Sequence, residues 1–155
     1  MKIAYETVLK SSMESLWEIV GDFSKYPEWN PVITSIEGET TPESILKITL
    51  KLSGSLPRHT QAIVTGFAKP KYFSFEIQHR FGAWFYHEEW IFRMKERADA
   101  TNLIAEAYVT GLGLRFRRSK IEDAFRRSLF NVVDAIKERV GNSQRYSGFP
   151  ERSAT

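Results

Sequence analysis

Apolar and polar residues alternate from Ile3 to Leu9, and a period of two lays one face of a strand on a core. Ser11-Ser12-Met13-Glu14 follows and reads as a capping box, the Ser11 hydroxyl taking a free helix N–H while Glu14 reaches back three residues. Leu16, Trp17, Ile19 and Val20 then share a helical face that runs out at Gly21 and Asp22. Phe23 to Tyr26 reads as one more short turn of helix. Pro27 and Pro31 bracket Glu28-Trp29-Asn30, which rules out a long helix or a central strand there.

From Val32 to Thr110 the period returns to two. Six strands are predicted: Thr34–Glu39, Ile45–Leu52, Thr60–Phe67, Tyr72–Arg80, Ala83–Lys95 and Asn102–Thr110. Turn signals separate them at Thr41-Pro42, Gly54 with Pro57, Lys69-Pro70, Gly82 and Ala98-Asp99-Ala100. Connections this short favour an antiparallel meander, because parallel neighbours need crossovers of about a dozen residues or more. Gly111 and Gly113 then give a sharp turn. Beyond them Ile121, Phe125, Leu129, Val132, Val133, Ile136 and Val140 recur at helical spacing, over about six turns. Gly141-Asn142 is expected to end this helix, and the polar tail 142–155 to be disordered.

The predicted order is strand, two helices, six strands and one long helix: an α+β domain over residues 1–141. An amphipathic helix of that length must lay its apolar stripe on something, and the sheet is the only large partner. A curved antiparallel sheet of about seven strands wrapped around the C-terminal helix closes a core and leaves room between them for a ligand.

The chain's 155 residues suit one domain. Eleven Phe, six Tyr and four Trp are generous, and aromatics both fill cores and line pockets for flat or greasy ligands. There is no cysteine, which removes disulfides, thiolate catalysis and Cys-based zinc sites. The first residues read as a strand and not as a signal peptide. No run of about 18 apolar residues occurs, so no stable membrane insertion is expected and the cytoplasm is the expected location. Net charge is +3, with much of the excess in Arg115-Phe116-Arg117-Arg118-Ser119-Lys120 and in Arg126 and Arg127. Such a cluster attracts phosphate, nucleic acid or anionic lipid, or forms a solvated helix face. Cations at a helix start oppose the macrodipole, so they do not stabilise the helix.

The element order, with the run Asp22-Phe23-Ser24-Lys25-Tyr26-Pro27-Glu28-Trp29-Asn30-Pro31, resembles the polyketide cyclase/dehydrase branch of the SRPBCC (START/Bet v 1-like) superfamily. Ile36-Glu37-Gly38, the approach from Pro70 to Phe75 and the stretch Glu89 to Met94 agree with it. The resemblance covers about residues 2 to 140 and implies the helix-grip fold. Relatives in that superfamily include lipid carriers, hormone and steroid binders, aromatic polyketide cyclases and coenzyme-Q-binding proteins. Function must therefore be argued from the site.

Strand parity gives the inward faces. Trp84, Tyr86, Trp90, Phe92 and Met94 share one face with a single acid, Glu88. Phe73, Phe75 and Ile77 lead to His79 on the next strand; Leu46, Ile48, Leu50 and Leu52 face the same way, as do Leu103, Ala105, Ala107 and Val109. Phe125, Leu129 and Val133 face them from the helix, and Tyr26 and Trp29 plug the open end. A carboxylate buried at Glu88 is a candidate acid, base or ligand partner; a place near the strand end, or pairing with a buried Arg or Tyr, is the plain alternative. His79 is the second weak candidate. No histidines share a metal-ligand spacing, no nucleotide fingerprint occurs, and neither metal nor cofactor is expected.

The expected ligand set is thus Tyr26, Trp29, Ile48, Leu50, Phe75, Ile77, His79, Trp84, Tyr86, Glu88, Trp90, Phe92, Ala105, Ala107, Phe125, Leu129 and Val133. The protein is expected to bind a small hydrophobic or amphipathic molecule, such as a lipid, sterol, polyketide or quinone, as a monomer or homodimer. The alternative is a cyclase or dehydratase, formally a lyase or isomerase, using Glu88 or His79 as acid or base. Ala105 and Ala107 count against it, because enzymes in the family commonly bring polar groups to that strand. A third reading is RNA or protein binding through Arg115–Arg127, although no nucleic acid partner is expected.

Overall fold

The computed structural model describes residues 1–79 and 85–147. In chain order the elements are β1 (Lys2–Leu9), α1 (Met13–Val20), a 3-10 turn (Phe23–Lys25), α2 (Tyr26–Trp29), β2 (Ile33–Glu37), β3 (Ile45–Leu50), β4 (Arg58–Ala68), β5 (Tyr72–Gln78), β6 (His87–Arg97), β7 (Ala100–Thr110) and α3 (Leu114–Ser147). One seven-stranded sheet runs in the order β1-β7-β6-β5-β4-β3-β2, with every neighbouring pair antiparallel. The meander is therefore continuous from β2 to β7, and β1 closes on its far edge. This is the helix-grip architecture that the order of elements predicts.

α3 lies across the concave face with Phe125, Leu129, Val132, Val133, Ile136 and Val140 buried against the sheet. α1 contributes Met13, Leu16, Trp17 and Val20, and the Trp17 ring meets Phe67 of β4 edge-on at 5.3 Å. Core and stripe therefore coincide.

Two local expectations need correction. Ser12, not Ser11, caps α1: its hydroxyl accepts the Ser15 N–H at 3.2 Å, and Glu14 simply stands in the first turn. α3 continues through Gly141 and Asn142 to Ser147. A glycine ends a helix by turning left-handed, and Gly141 keeps helical angles. The helix is also broken near its start, where Arg117 leaves the helical region (φ −141°, ψ 28°). The tail from 148 onward and Trp84 lie outside the described residues.

Gly111 does make the turn into α3. Its φ is +119°, and a Cβ there would collide with the Phe85 carbonyl, so both the angle and the close approach require glycine. The run around Pro27 is a backbone clasp. The Asn30 Oδ1 accepts the N–H groups of Val32 at 3.0 Å and Ile33 at 2.8 Å, which starts β2 just beyond Pro31. Among the described residues no helix is long and apolar enough to cross a membrane.

Candidate ligand-binding site

The inner face is built by alternation. Trp90 of β6 stands opposite Ala107 of β7, and Phe92 opposite Ala105, so each large ring lies beside a small residue. Trp90 then meets Phe125 of α3 with ring centres 5.5 Å apart. Ile48, Leu50, Phe75, Ile77, Trp90, Phe92, Ala105, Ala107, Phe125, Leu129 and Val133 are each at most 2 % exposed. The described apolar residues of the expected ligand set, Trp84 lying outside them, are brought together and pack between sheet and helix.

Tyr26 is seated in this core at 1 % exposure, its hydroxyl donating to the Val20 carbonyl at 2.6 Å. Its ring packs between Phe23 at 5.4 Å and Trp29 at 5.0 Å. It pins the segment after α1. Trp29 is half-buried and lines an outer groove of about 700 Å³ together with Lys10, Ser12, Lys25 and Arg139.

Among the described residues the inner face becomes polar at one end of β4, β5 and β6, where Arg58, His79, Tyr86 and Glu88 converge. Glu88 is fully buried; its Oε1 accepts from the Arg58 guanidinium and lies 3.0 Å from His79 Nε2. Its Oε2 is 3.4 Å from the Trp90 indole nitrogen. Arg58 Nη1 faces His79 Nδ1 at 3.4 Å. A guanidinium has no lone pair to offer, so Nδ1 is the acceptor and Nε2 carries the proton that points at Glu88. The carboxylate is thus held from three sides, as a buried charge must be.

Tyr86 stands edge-on to His79 at 4.5 Å. Burial pushes its phenol above the ordinary value, the Glu88 charge adds to this, and Arg58 opposes it. The hydroxyl stays protonated as a neutral donor near neutral pH. The cluster is not sealed: side-chain exposure is 37 % for Arg58 and 18 % for His79, against none for Glu88.

Glu88 is therefore the paired buried acid of the plain alternative, with arginine as its partner. Arg58 is the member of this cluster that the sequence reading missed, because it placed the start of β4 at Thr60. Parity would have found it: Arg58 and Thr60 share the face of buried Ala62. Ser128 was missed too. Wholly buried on α3, its hydroxyl accepts the Ser53 N–H at 2.8 Å and donates to the Ala124 carbonyl at 2.7 Å, fastening the β3–β4 loop to the helix. Among the described residues no three acidic or histidine side chains are grouped to hold a metal.

A sheet gripping a C-terminal helix, with an apolar interior that ends in one buried polar cluster, defines a START/Bet v 1-like ligand-binding domain. Over residues 1–141 the chain matches the model of the family described as polyketide cyclase / dehydrase and lipid transport, and it belongs to that family. Among solved structures it is similar to a START superfamily protein from Mycobacterium smegmatis, with 21% identity, 92% of this chain and 98% of that one covered, and a TM-score of 0.71. The Zhui aromatase/cyclase from Streptomyces sp. R1128 is 12% identical, with coverage of 97% and 99% and a TM-score of 0.74. Major latex-like protein 151 from Panax ginseng is 13% identical, with coverage of 90% and 96% and a TM-score of 0.69. At these identities the likeness is one of fold. No curated protein matched the sequence.

Proposed function

We propose that this protein binds a small, mostly apolar molecule between the sheet and α3, with an oxygen-bearing end received by Arg58, His79 and Tyr86. One observation carries the reading: an otherwise apolar inner face ends in a charged cluster whose carboxylate is buried and whose arginine and histidine reach solvent. Arg58 and the neutral Tyr86 hydroxyl are donors suited to a carbonyl, phenolate or carboxylate group. Affinity comes from apolar burial, at about 25 cal/mol per Å², and the cluster sets orientation. Lipid transport in the family's description supports a carrier, and sterols, quinones, polyketides and fatty acids are the classes to try.

The test is a melting scan with that panel. A ligand at 100 times its Kd stabilises by about 2.7 kcal/mol, which moves the midpoint of a chain this size by several degrees. Arg58→Met should remove the shift for ligands with an oxygen-bearing end. No shift with any member of the panel would remove the reading's support.

An enzymatic reading rests on the pair His79–Glu88 at 3.0 Å, the base-and-orienter arrangement of general acid–base chemistry, and on the aromatase/cyclase among the similar structures. On that reading Glu88→Gln abolishes turnover of a polyketide-like substrate and leaves binding intact. Turnover unchanged in that variant dismisses it.

A further inference from the structure

The β3–β4 loop, Phe85 before β6 and the β7–α3 turn meet at one end of the sheet. Gly113 N–H donates to the Phe85 carbonyl at 2.9 Å, and the Ser53 N–H reaches Ser128 of α3. Four large apolar side chains stand out from this end: Leu56 and Phe116 are 88 % and 84 % exposed, Leu112 and Phe85 48 % and 41 %. Exposed apolar residues are ordinary one at a time; gathered at one end they mark an interaction surface.

The charge on the β7–α3 turn is of one sign, while beside the β3–β4 loop Arg58 is paired with Glu88. Residues 110–121 carry Arg115, Arg117, Arg118 and Lys120 and no acid; residues 50–62 carry Lys51 and Arg58 and no acid. The chain has 19 acidic residues in all, so their absence from both segments is a local bias. Arg115, Arg117, Arg118 and Lys120 are exposed, and among the described residues none of the four is in an ion pair. They also crowd the start of a helix, where cations are unfavourable. The break at Arg117 separates the turn bearing Phe116 from the packed body of α3.

We propose that this end docks on an anionic lipid bilayer, with Arg115, Arg117, Arg118 and Lys120 on the headgroups and Phe116, Leu112 and Leu56 entering the interface. Cations or apolar groups alone give weak attachment, and stable yet reversible binding to a membrane surface combines the two. Lipid is favoured over nucleic acid because, of the four apolar residues at this end, Leu56 and Leu112 are leucines, which offer no flat face for a base. The docking goes beyond the ligand-binding reading and does not need a ligand, though it would bring the Arg58 cluster close to the membrane.

The test is sedimentation of the full chain with vesicles of phosphatidylcholine, with and without phosphatidylserine, at low and high salt. Binding is expected with phosphatidylserine at low salt only. Arg117→Gln with Arg118→Gln should lower partitioning by about tenfold or more, and Leu56→Ser with Phe116→Ser should lower it several-fold at unchanged charge. Lys69→Gln with Lys71→Gln, on the β4–β5 turn at the opposite end, should change nothing. Equal binding to neutral vesicles, no binding to anionic ones, or full binding by the Leu56 and Phe116 variant overturns the proposal. So does salt-sensitive binding to single-stranded RNA without vesicle binding, which would assign the end to nucleic acid. Melting shifts with apolar ligands, run on the same variants, report the ligand-binding reading separately.

Discussion

Trp90 and Ala107 are direct partners across β6 and β7, and the indole occupies the volume that the alanine leaves under α3. Both are wholly buried. With Trp90 beside it and no exposed surface of its own, a larger residue at 107 has nowhere to go. Ala107→Leu is therefore expected to destabilise the fold by about 1–3 kcal/mol through overpacking, read from urea midpoints. A stability equal to or above that of the parent would mean that open volume lies beside β7.

Arg58 and Glu88 form a pair in which the two partners are unequal. Removing Arg58 leaves a fully buried carboxylate without its cation, and breaking a buried pair is strongly destabilising, about 3–5 kcal/mol where both partners are enclosed. Arg58 is partly in solvent, so a loss at or below the lower end of that range is expected for Arg58→Met. Adding Glu88→Leu should recover most of it, since an apolar replacement of both partners removes the stranded charge. A double variant no more stable than Arg58→Met would show that Glu88 is not what the arginine neutralises.

Most of the fold was legible because its signals are periodic. The six predicted strands all form, shifted by a few residues at their ends, and the stripe from Phe125 to Val140 is the face that packs. Ala105 and Ala107 are a different case. Small residues on an inward face say that volume is left, but not who takes it; the register that sets Trp90 and Phe92 beside them depends on strand ends that sequence places only loosely. The same two-residue uncertainty hid Arg58. Glu88 could be recognised as a lone acid on an apolar face, whereas its partner lies 30 residues away on another strand, a separation no local pattern encodes. Tyr26 and Trp29 stood out as a motif, yet spacing did not reveal that Tyr26 spends its hydroxyl on the Val20 carbonyl.

Asn30 is the least conspicuous residue of that motif and does most to shape it. Its carbonyl takes the first two backbone N–H groups after Pro31, in a place where it is only 4 % exposed. Asn30→Ala strands two buried donors, each worth about 1–3 kcal/mol when unsatisfied. The expected result is a clear fall in melting temperature, with hydrogen exchange rising first at Val32 and Ile33. Exchange unchanged at those two amides would show that the clasp is not what holds the start of β2.

The two most perturbed phenols give the protein a stability that depends on pH. Burial pushes Tyr26 up from 10.0, and burial with the Glu88 charge pushes Tyr86 up from the same value. Above pH 10 the unfolded chain therefore releases protons that the native state keeps. Stability from these groups is fully present below the unfolded value and falls as pH rises past it, by about 1.4 kcal/mol per pH unit for each retained proton. Lysines titrate nearby, so the comparison must be between variants. Tyr26→Phe loses its hydrogen bond at every pH, which lowers the curve without tilting it; the retained proton sets the tilt. Urea midpoints across the alkaline range should show a slope shallower by one proton in Tyr26→Phe, and by up to one in Tyr86→Phe. Identical slopes in the parent and both variants would mean that neither phenol is shielded as the packing requires.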